Sequence, residues 1–179
     1  IIHQALEIVH NLDHRGAVSA DPLAGDGAGI LIQVPDEFFR LELNKKNYVL
    51  PKLGNYGVGI TFFPNSQTEI IKIQSIIKDI IVKEGLELIC WRDVPVNSSV
   101  LGVSVKANEP NIKQLFIRKG KNLKSESELE RKLYVVRKLI SSALHKNKIN
   151  EENFYIPSLS TRTIVYKGMV LANNLSKYY

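Results

Sequence analysis

The sequence predicts an α+β chain, in which helices and strands are layered around one core. Two observations carry this. Ser66 with Glu69, and Ser125 with Glu128, are capping-box pairs, and each opens a run of apolar residues at helical spacing. Between and around them, short apolar runs stopped by glycine or proline read as strands. The alternation leaves a mixed sheet and a parallel one equally open.

Ile2, Ala5, Leu6, Val9 and Leu12 recur at helical spacing, so the chain opens with an amphipathic helix that ends near His14-Arg15-Gly16. A glycine loop, Gly25 to Gly29, leads into an apolar strand running from Ile30 through Val34. Pro35 to Leu41 reads as a short helix with proline and acids in its first turn. Tyr56 to Phe63 is a strand ended by Pro64. The first capped helix presents Ile70, Ile73, Ile77, Ile80 and Ile81, and Gly85 closes it. Leu86 to Trp91 is the next strand, Pro95 to Ser99 a loop, and Asn111 to Ile117 contains another strand. The second capped helix presents Leu129, Leu133, Val136, Ile140 and Leu144. Strands Phe154 to Leu159 and Thr163 to Tyr166 flank a Ser-Thr-Arg corner. With no repeat, low-complexity linker or boundary signal, residues 1–179 read as one domain.

The net charge of +6 raises the question of nucleic acid, but the lysines are scattered and only Arg118 to Lys124 and Arg131 to Lys148 are dense. Charge of that kind is usually a solvated helix face, so no nucleic-acid partner is expected. A basic RNA-binding domain would show salt-dependent retention. No apolar run approaches the ~20 residues of a membrane span, so no membrane partner is expected either. The first residues carry no signal-peptide pattern, which says nothing of a leader upstream of Ile1. Cys90 is the sole cysteine, which rules out an internal disulfide and a cysteine-based zinc site. In its apolar strand it reads as an inert core thiol.

The loop Gly25-Asp26-Gly27-Ala28-Gly29-Ile30 lacks the last glycine of a dinucleotide fingerprint and precedes a strand instead of following one. His14-Arg15-Gly16 taken alone reads as a helix C-terminus, where His and Arg meet the dipole and Gly supplies a left-handed turn. Arg15 has the alternative of pairing with a carboxylate. His3, His10, His14 and His145 show no metal-ligand spacing, and surface roles are expected, so no metal is assigned. The hydroxyls of Ser158 to Thr163 either cap turns or flank an anion site at Arg162.

A resemblance goes further. Asn11-Leu12-Asp13-His14-Arg15-Gly16-Ala17, Ala20-Asp21-Pro22, Gly25 to Ile30 and Pro35 to Phe39 resemble the class II glutamine amidotransferase domain at the front of glutamate synthase. Phe154-Tyr155-Ile156 and Ser158 to Met169 are similar to the same family, so the likeness spans the chain. It implies an N-terminal nucleophile hydrolase fold, an αββα four-layer sandwich, here incomplete and with no second domain. It also implies glutaminase chemistry: a cysteine whose own α-amine is the base attacks glutamine, and an oxyanion hole holds the intermediate.

The ammonia released is then added to 2-oxoglutarate elsewhere in the parent enzyme, using FMN and an iron-sulfur cluster. Ferredoxin or a nicotinamide-oxidising subunit supplies the electrons. Arg15 matches a supporting arginine beside the nucleophile and the bound glutamine, and Gly27 and Gly29 match glycines at that pocket. No cysteine of this chain matches the nucleophile, so the expectation is a fragment, inactive alone, with that cysteine upstream of Ile1 and the oxyanion pair and amine binder beyond Tyr179. Abundant Ile, Lys and Asn suggest an AT-rich genome, hence a ferredoxin-dependent enzyme of the plastid (chloroplast stroma) or a bacterial cytoplasm. The alternatives are another class II amidotransferase and a non-catalytic interaction module on the same fold.

Overall fold

The computed structural model describes residues 2–16, 21, 23–149 and 154–179. Its elements are α1 (Ile2–Asn11), β1 (Ala28–Gln33), α2 (Asp36–Asn44), β2 (Tyr56–Phe63), α3 (Gln67–Lys83), β3 (Glu87–Asp93), α4 (Val103–Lys106), β4 (Asn111–Arg118), α5 (Glu126–Lys146), β5 (Tyr155–Ser160), β6 (Thr163–Gly168) and α6 (Leu175–Tyr178). Short 3-10 turns occupy Asp13–Arg15, Ser98–Val100 and Ala172–Asn174. These turns, with α4 and α6, are too short to show a helical period, which is why Pro95 to Ser99 reads as plain loop in the sequence.

The described chain divides into two compact units. One comprises Ile1–Ile32, Val94–Glu109 and Val165–Tyr179, and the other Gln33–Asp93 and Pro110–Ile164. Each is assembled from separated stretches of chain. A division of that kind leaves no linker composition to be seen in the sequence.

The second unit holds a four-stranded sheet of order β3-β4-β2-β5. Every neighbour pair in it is antiparallel. This differs from the mixed or parallel sheet that the alternation suggests, and the reason is topological. Helix α3 carries the chain from β2 to β3, and α5 carries it from β4 to β5. Each crossover skips one position, and a strand of the other crossover fills the gap running the opposite way, as in split β-α-β units.

Helices α3 and α5 lie on one face of this sheet, burying Ile70, Ile73, Ile77 and Ile81 of one and Leu129, Leu133, Val136, Ile140 and Leu144 of the other. Ile80 is only partly buried at the margin of this cluster. Burying each such side chain contributes about 1.5–3 kcal/mol. Both capping serines behave as read: Ser66 Oγ accepts from the Glu69 amide at 3.4 Å and Ser125 Oγ from the Glu128 amide at 3.2 Å. Gly85, at φ +73°, follows α3 in the left-handed region.

Close packing on the helix side depends on Gly57. A Cβ there would sit 2.3 Å from Leu133 Cδ1, so α5 approaches the sheet where β2 has no side chain. On the opposite face α2 buries Phe39 edge-on against Phe116, ring centroids 5.1 Å apart. Asp36, at the start of α2, accepts from Arg40 Nε at 2.8 Å and from the Tyr56 hydroxyl at 2.8 Å. Arg40 also donates to the carbonyls of Leu50 and Pro51. Nearby, buried Arg92 donates to Gln114 Oε1 at 2.9 Å and to Glu42 Oε2 at 3.0 Å.

The β5–β6 corner is clasped to the start of α5. Ser160 Oγ donates to Glu130 Oε1 and the Thr161 amide to Glu130 Oε2, each at 2.7 Å. Arg162 Nε donates to Glu126 Oε1 at 2.9 Å. The anion held by Arg162 is therefore a carboxylate of this chain, and the corner hydroxyls cap and clasp the turn.

Strands β1 and β6 form a separate two-stranded sheet. The first unit, which contains most of both, buries Ala24, Leu101, Val170, Leu175 and Tyr178. The Tyr178 hydroxyl and Ser98 Oγ both donate to Glu109 Oε1 at 2.9 Å, and the Asn97 amide donates to the Tyr178 carbonyl at 2.8 Å.

Two outcomes are expected. Gly57→Ala lowers stability by about 1–3 kcal/mol through overpacking, read as the urea midpoint, and most of that loss disappears in a Leu133→Ala background. The second concerns acid. Burial alone would raise the Asp36 carboxyl, but hydrogen bonds from Arg40 and Tyr56 outweigh it and hold the group below its usual value. Its contribution is then complete above the unfolded value of about 3.9 and is lost as pH falls through the lower folded value. Between about pH 5 and pH 2 the chain should lose stability more steeply than Asp36→Asn does.

Candidate active site

The residues singled out near the front of the chain converge in the first unit. Helix α1 ends at Asn11, where His14 Nδ1 donates to the Asn11 carbonyl at 2.9 Å, and Arg15 closes the 3-10 turn that follows. Gly16 does not supply a left-handed turn: its φ is −82° and its ψ 148°, ordinary extended backbone. Its side-chain position is crowded without being filled: a Cβ would meet Asp26 Oδ1 at 3.3 Å and the Asp13 carbonyl oxygen at 3.4 Å, which a shift of a few tenths of an ångström relieves. Ala17, Ala20 and Pro22 lie outside the described residues.

Gly27 is conformationally special. Its φ of +112° lies where L side chains are strained, and a Cβ would come 3.1 Å from the Gly168 carbonyl oxygen. Gly29 meets the same strand, its Cβ position falling 2.6 Å from Lys167 Cβ. The glycine loop therefore lies against β6, which explains why two distant stretches of sequence carry one signature.

The 3-10 turn and the glycine loop share a cavity of about 300 Å³, at the lower end of small-molecule sites. Leu12, Asp13 and Gly16 contribute from one side, Gly25 to Gly29 from another, and Val170 to Ala172 from a third. Asp13 and Asp26 bring carboxylates to its lining, and Val9, Leu12 and Val170 bring aliphatic side chains. The Asp13 and Asp26 carboxylates and the Val170 to Ala172 wall are the part sequence reasoning missed; the only signal was an acid set between the glycines of the loop.

Asp21 anchors the loop that leads to Gly25. Its carboxylate accepts from the Leu23 amide at 3.1 Å and from Ser104 Oγ at 3.0 Å, and these bonds hold it below its usual value. Gly102 leaves room for it, because a Cβ there would sit 2.3 Å from Asp21 Oδ2.

The other candidates stand apart. Cys90 is buried in β3, and burial pushes its thiol up to about 11, so it is no thiolate at neutral pH. His10 Nδ1 bonds the Asn173 side-chain oxygen. His3 is exposed on α1. His145 belongs to a second cavity of about 320 Å³ beside α5, with Arg137, Lys138 and Phe154. Among the described residues no group of three His, Cys, Asp or Glu could hold a metal ion, and no helix is long and apolar enough to cross a membrane.

Comparison with known proteins agrees with this geometry. The family of class II glutamine amidotransferases matches residues 1–179. The large chain of the NADPH glutamate synthase of Bacillus subtilis is 41% identical over 179 residues, covering 100% of this chain and 11% of the relative. The ferredoxin-dependent glutamate synthase of Pyropia yezoensis is 41% identical over 180 residues, with the same coverage. Ferredoxin-dependent glutamate synthase 2 of Synechocystis is 36% identical over 179 residues. The chain spans about 11% of the length of these curated relatives. With the front turn and the glycine loop meeting at one cavity and the family matched over residues 1–179, this chain belongs to the class II glutamine amidotransferases.

Proposed function

We propose that the chain is part of the glutaminase domain of a glutamate synthase, and that the cavity between the 13–16 turn and the 25–29 loop is part of its glutamine site. The observation that carries this is the convergence of both motifs on one cavity of amino-acid size. In this reading Arg15 pairs with the substrate carboxylate, as a guanidinium does well. Gly27, already in a conformation without room for a side chain, brings backbone to the pocket edge. The parent domain has the four-layer nucleophile-hydrolase sandwich, of which the antiparallel sheet and its helices are one portion.

The chemistry is acyl transfer. A thiolate attacks the glutamine carboxamide carbon, the tetrahedral oxyanion collapses, and ammonia leaves after taking a proton. Water then cleaves the thioester to glutamate and the free thiol. Cys90, buried and protonated, does not fit the nucleophile, so the reading draws that cysteine from elsewhere in the parent polypeptide. Ammonia passes to 2-oxoglutarate at a synthase site. An iron-sulfur cluster needs several thiolates, and this chain has one cysteine, so it does not fit the cluster. The reading gives the cluster and FMN to the remaining synthase domains and takes no step through them here. The reading takes ferredoxin as donor, with a plastid or bacterial-cytoplasmic setting, and is supported by the likeness to ferredoxin-dependent relatives, beside an equally similar NADPH form.

In the full-length protein, Arg15→Ala should lower the ratio of glutamine-driven to ammonia-driven glutamate formation by about tenfold or more. A parental ratio would end the role given to Arg15, whereas an unsubstituted protein that forms glutamate from ammonia but not from glutamine would end the whole reading in favour of a non-catalytic module. Reduced ferredoxin should sustain glutamate formation where NADPH does not; equal or better turnover with NADPH would overturn the choice of donor.

A further inference from the structure

The glutaminase reading makes no use of the dense basic run Arg131 to Lys148, and part of that run lines the second cavity, of about 320 Å³. From residue 131 to residue 146 the sequence holds Arg131, Lys132, Arg137, Lys138 and Lys146 and no Asp or Glu. Tyr134, Arg137, Lys138, Ser141 and His145 follow one another at helical spacing, so a single stripe of α5 reaches the cavity. Leu144, Phe154 and Ile156, all buried, bring apolar side chains to the same lining. Every one of these residues belongs to the second unit. We propose that this cavity binds a small organic dianion with a short apolar stem. Arg137 and Lys138 hold its charges, Ser141 and His145 donate to its oxygens, and its stem lies against Leu144, Phe154 and Ile156.

Three observations set this stripe apart from ordinary solvated charge. Arg40, Arg92, Lys113, Arg118, Lys132 and Arg162 each pair with a carboxylate of the chain. Among the described residues no ion pair joins Arg137, Lys138 or His145 to a carboxylate, although Arg137 is half-buried. The helix dipole accounts for His145 and Lys146, which stand in the last turn of α5. It does not account for Arg137 and Lys138, about two turns earlier, because its effect falls off within the last turn. Lys138 Nζ also lies 5.7 Å from the centroid of the Tyr134 ring, a cation–π contact that keeps the ammonium beside another lining residue. A guanidinium grips a carboxylate or a phosphate through two parallel hydrogen bonds, and a lysine adds a point charge. A monoanion would leave one of these two cations unanswered, so the ligand carries two negative charges. Dicarboxylates and phosphate monoesters share that chemistry.

The site stands or falls independently of the glutaminase reading. In the full-length protein, hydrogen exchange read by mass spectrometry reports locally on peptides spanning 134–149, with glutarate, inorganic phosphate and butyrate added separately. Glutarate, phosphate or both should slow exchange there in a saturable way, and butyrate at the same concentration should not. Slowing by glutarate alone makes the ligand a dicarboxylate, and slowing by phosphate alone makes it a phosphate monoester. Arg137→Gln should raise the half-saturating concentration about tenfold or more while leaving exchange without the probe unchanged. If Arg137→Gln loosens α5 by itself, Lys138→Gln, at an exposed position, carries the same test. No slowing by either dianion, equal slowing by butyrate, or parental half-saturation in both variants overturns the proposal. Residues 150–153, outside the described residues, include Glu151 and Glu152. Slowing that requires Glu151→Gln and Glu152→Gln overturns it as well, because the cations then serve carboxylates of the chain itself.

Discussion

The apolar contact of α3 and α5 with one face of the antiparallel sheet is the constraint on which the second unit depends. Both helices bury one aliphatic stripe there, and the sheet accepts them because Gly57 leaves a gap for Leu133. Protein interiors are close-packed, so a gap of that size in one element has to be filled by another. Once α5 is fixed, Glu126 and Glu130 in its first turns can reach the β5–β6 corner. The corner between β5 and β6, strands that belong to different sheets, is thus held by carboxylates of α5.

The first unit is organised differently. It has few long elements and instead uses polar tethers over large sequence separations: Asp21 to Ser104, Glu109 to Tyr178 and Ser98, Tyr179 to the Lys167 carbonyl. Glycines let its backbone segments approach one another where a side chain would collide. That is the construction expected of a binding site, since convergent backbone and a few placed polar groups define a pocket better than an apolar core does. The cavity is made of parts that contribute little to burial, so it leans on tethers for its shape.

Much of this was legible before any tertiary information. The capping serines, the period of α3 and α5 and the exact span of β2 came from local chemistry, since each depends on residues within a few positions. Cys90 was legible too, because a lone thiol in an apolar strand is buried by its neighbours. Gly16 was misread. A glycine after His-Arg invites a left-handed C-cap, yet here its backbone is ordinary and extended, because the chain leaves the helix through a 3-10 turn closed by the Gly16 amide on the Asp13 carbonyl.

Sequence by itself determined the α+β class, the positions of the long elements and the family, because periodicity, caps and short glycine motifs are local and survive as strings of residues. Only tertiary structure decided the strand order, the antiparallel pairing, the division into two units and the meeting of the front turn with the glycine loop at one cavity. Those depend on which distant surfaces meet. Skipped crossovers, clasping carboxylates and the space left by a missing Cβ acquire meaning only once the chain has brought their partners together.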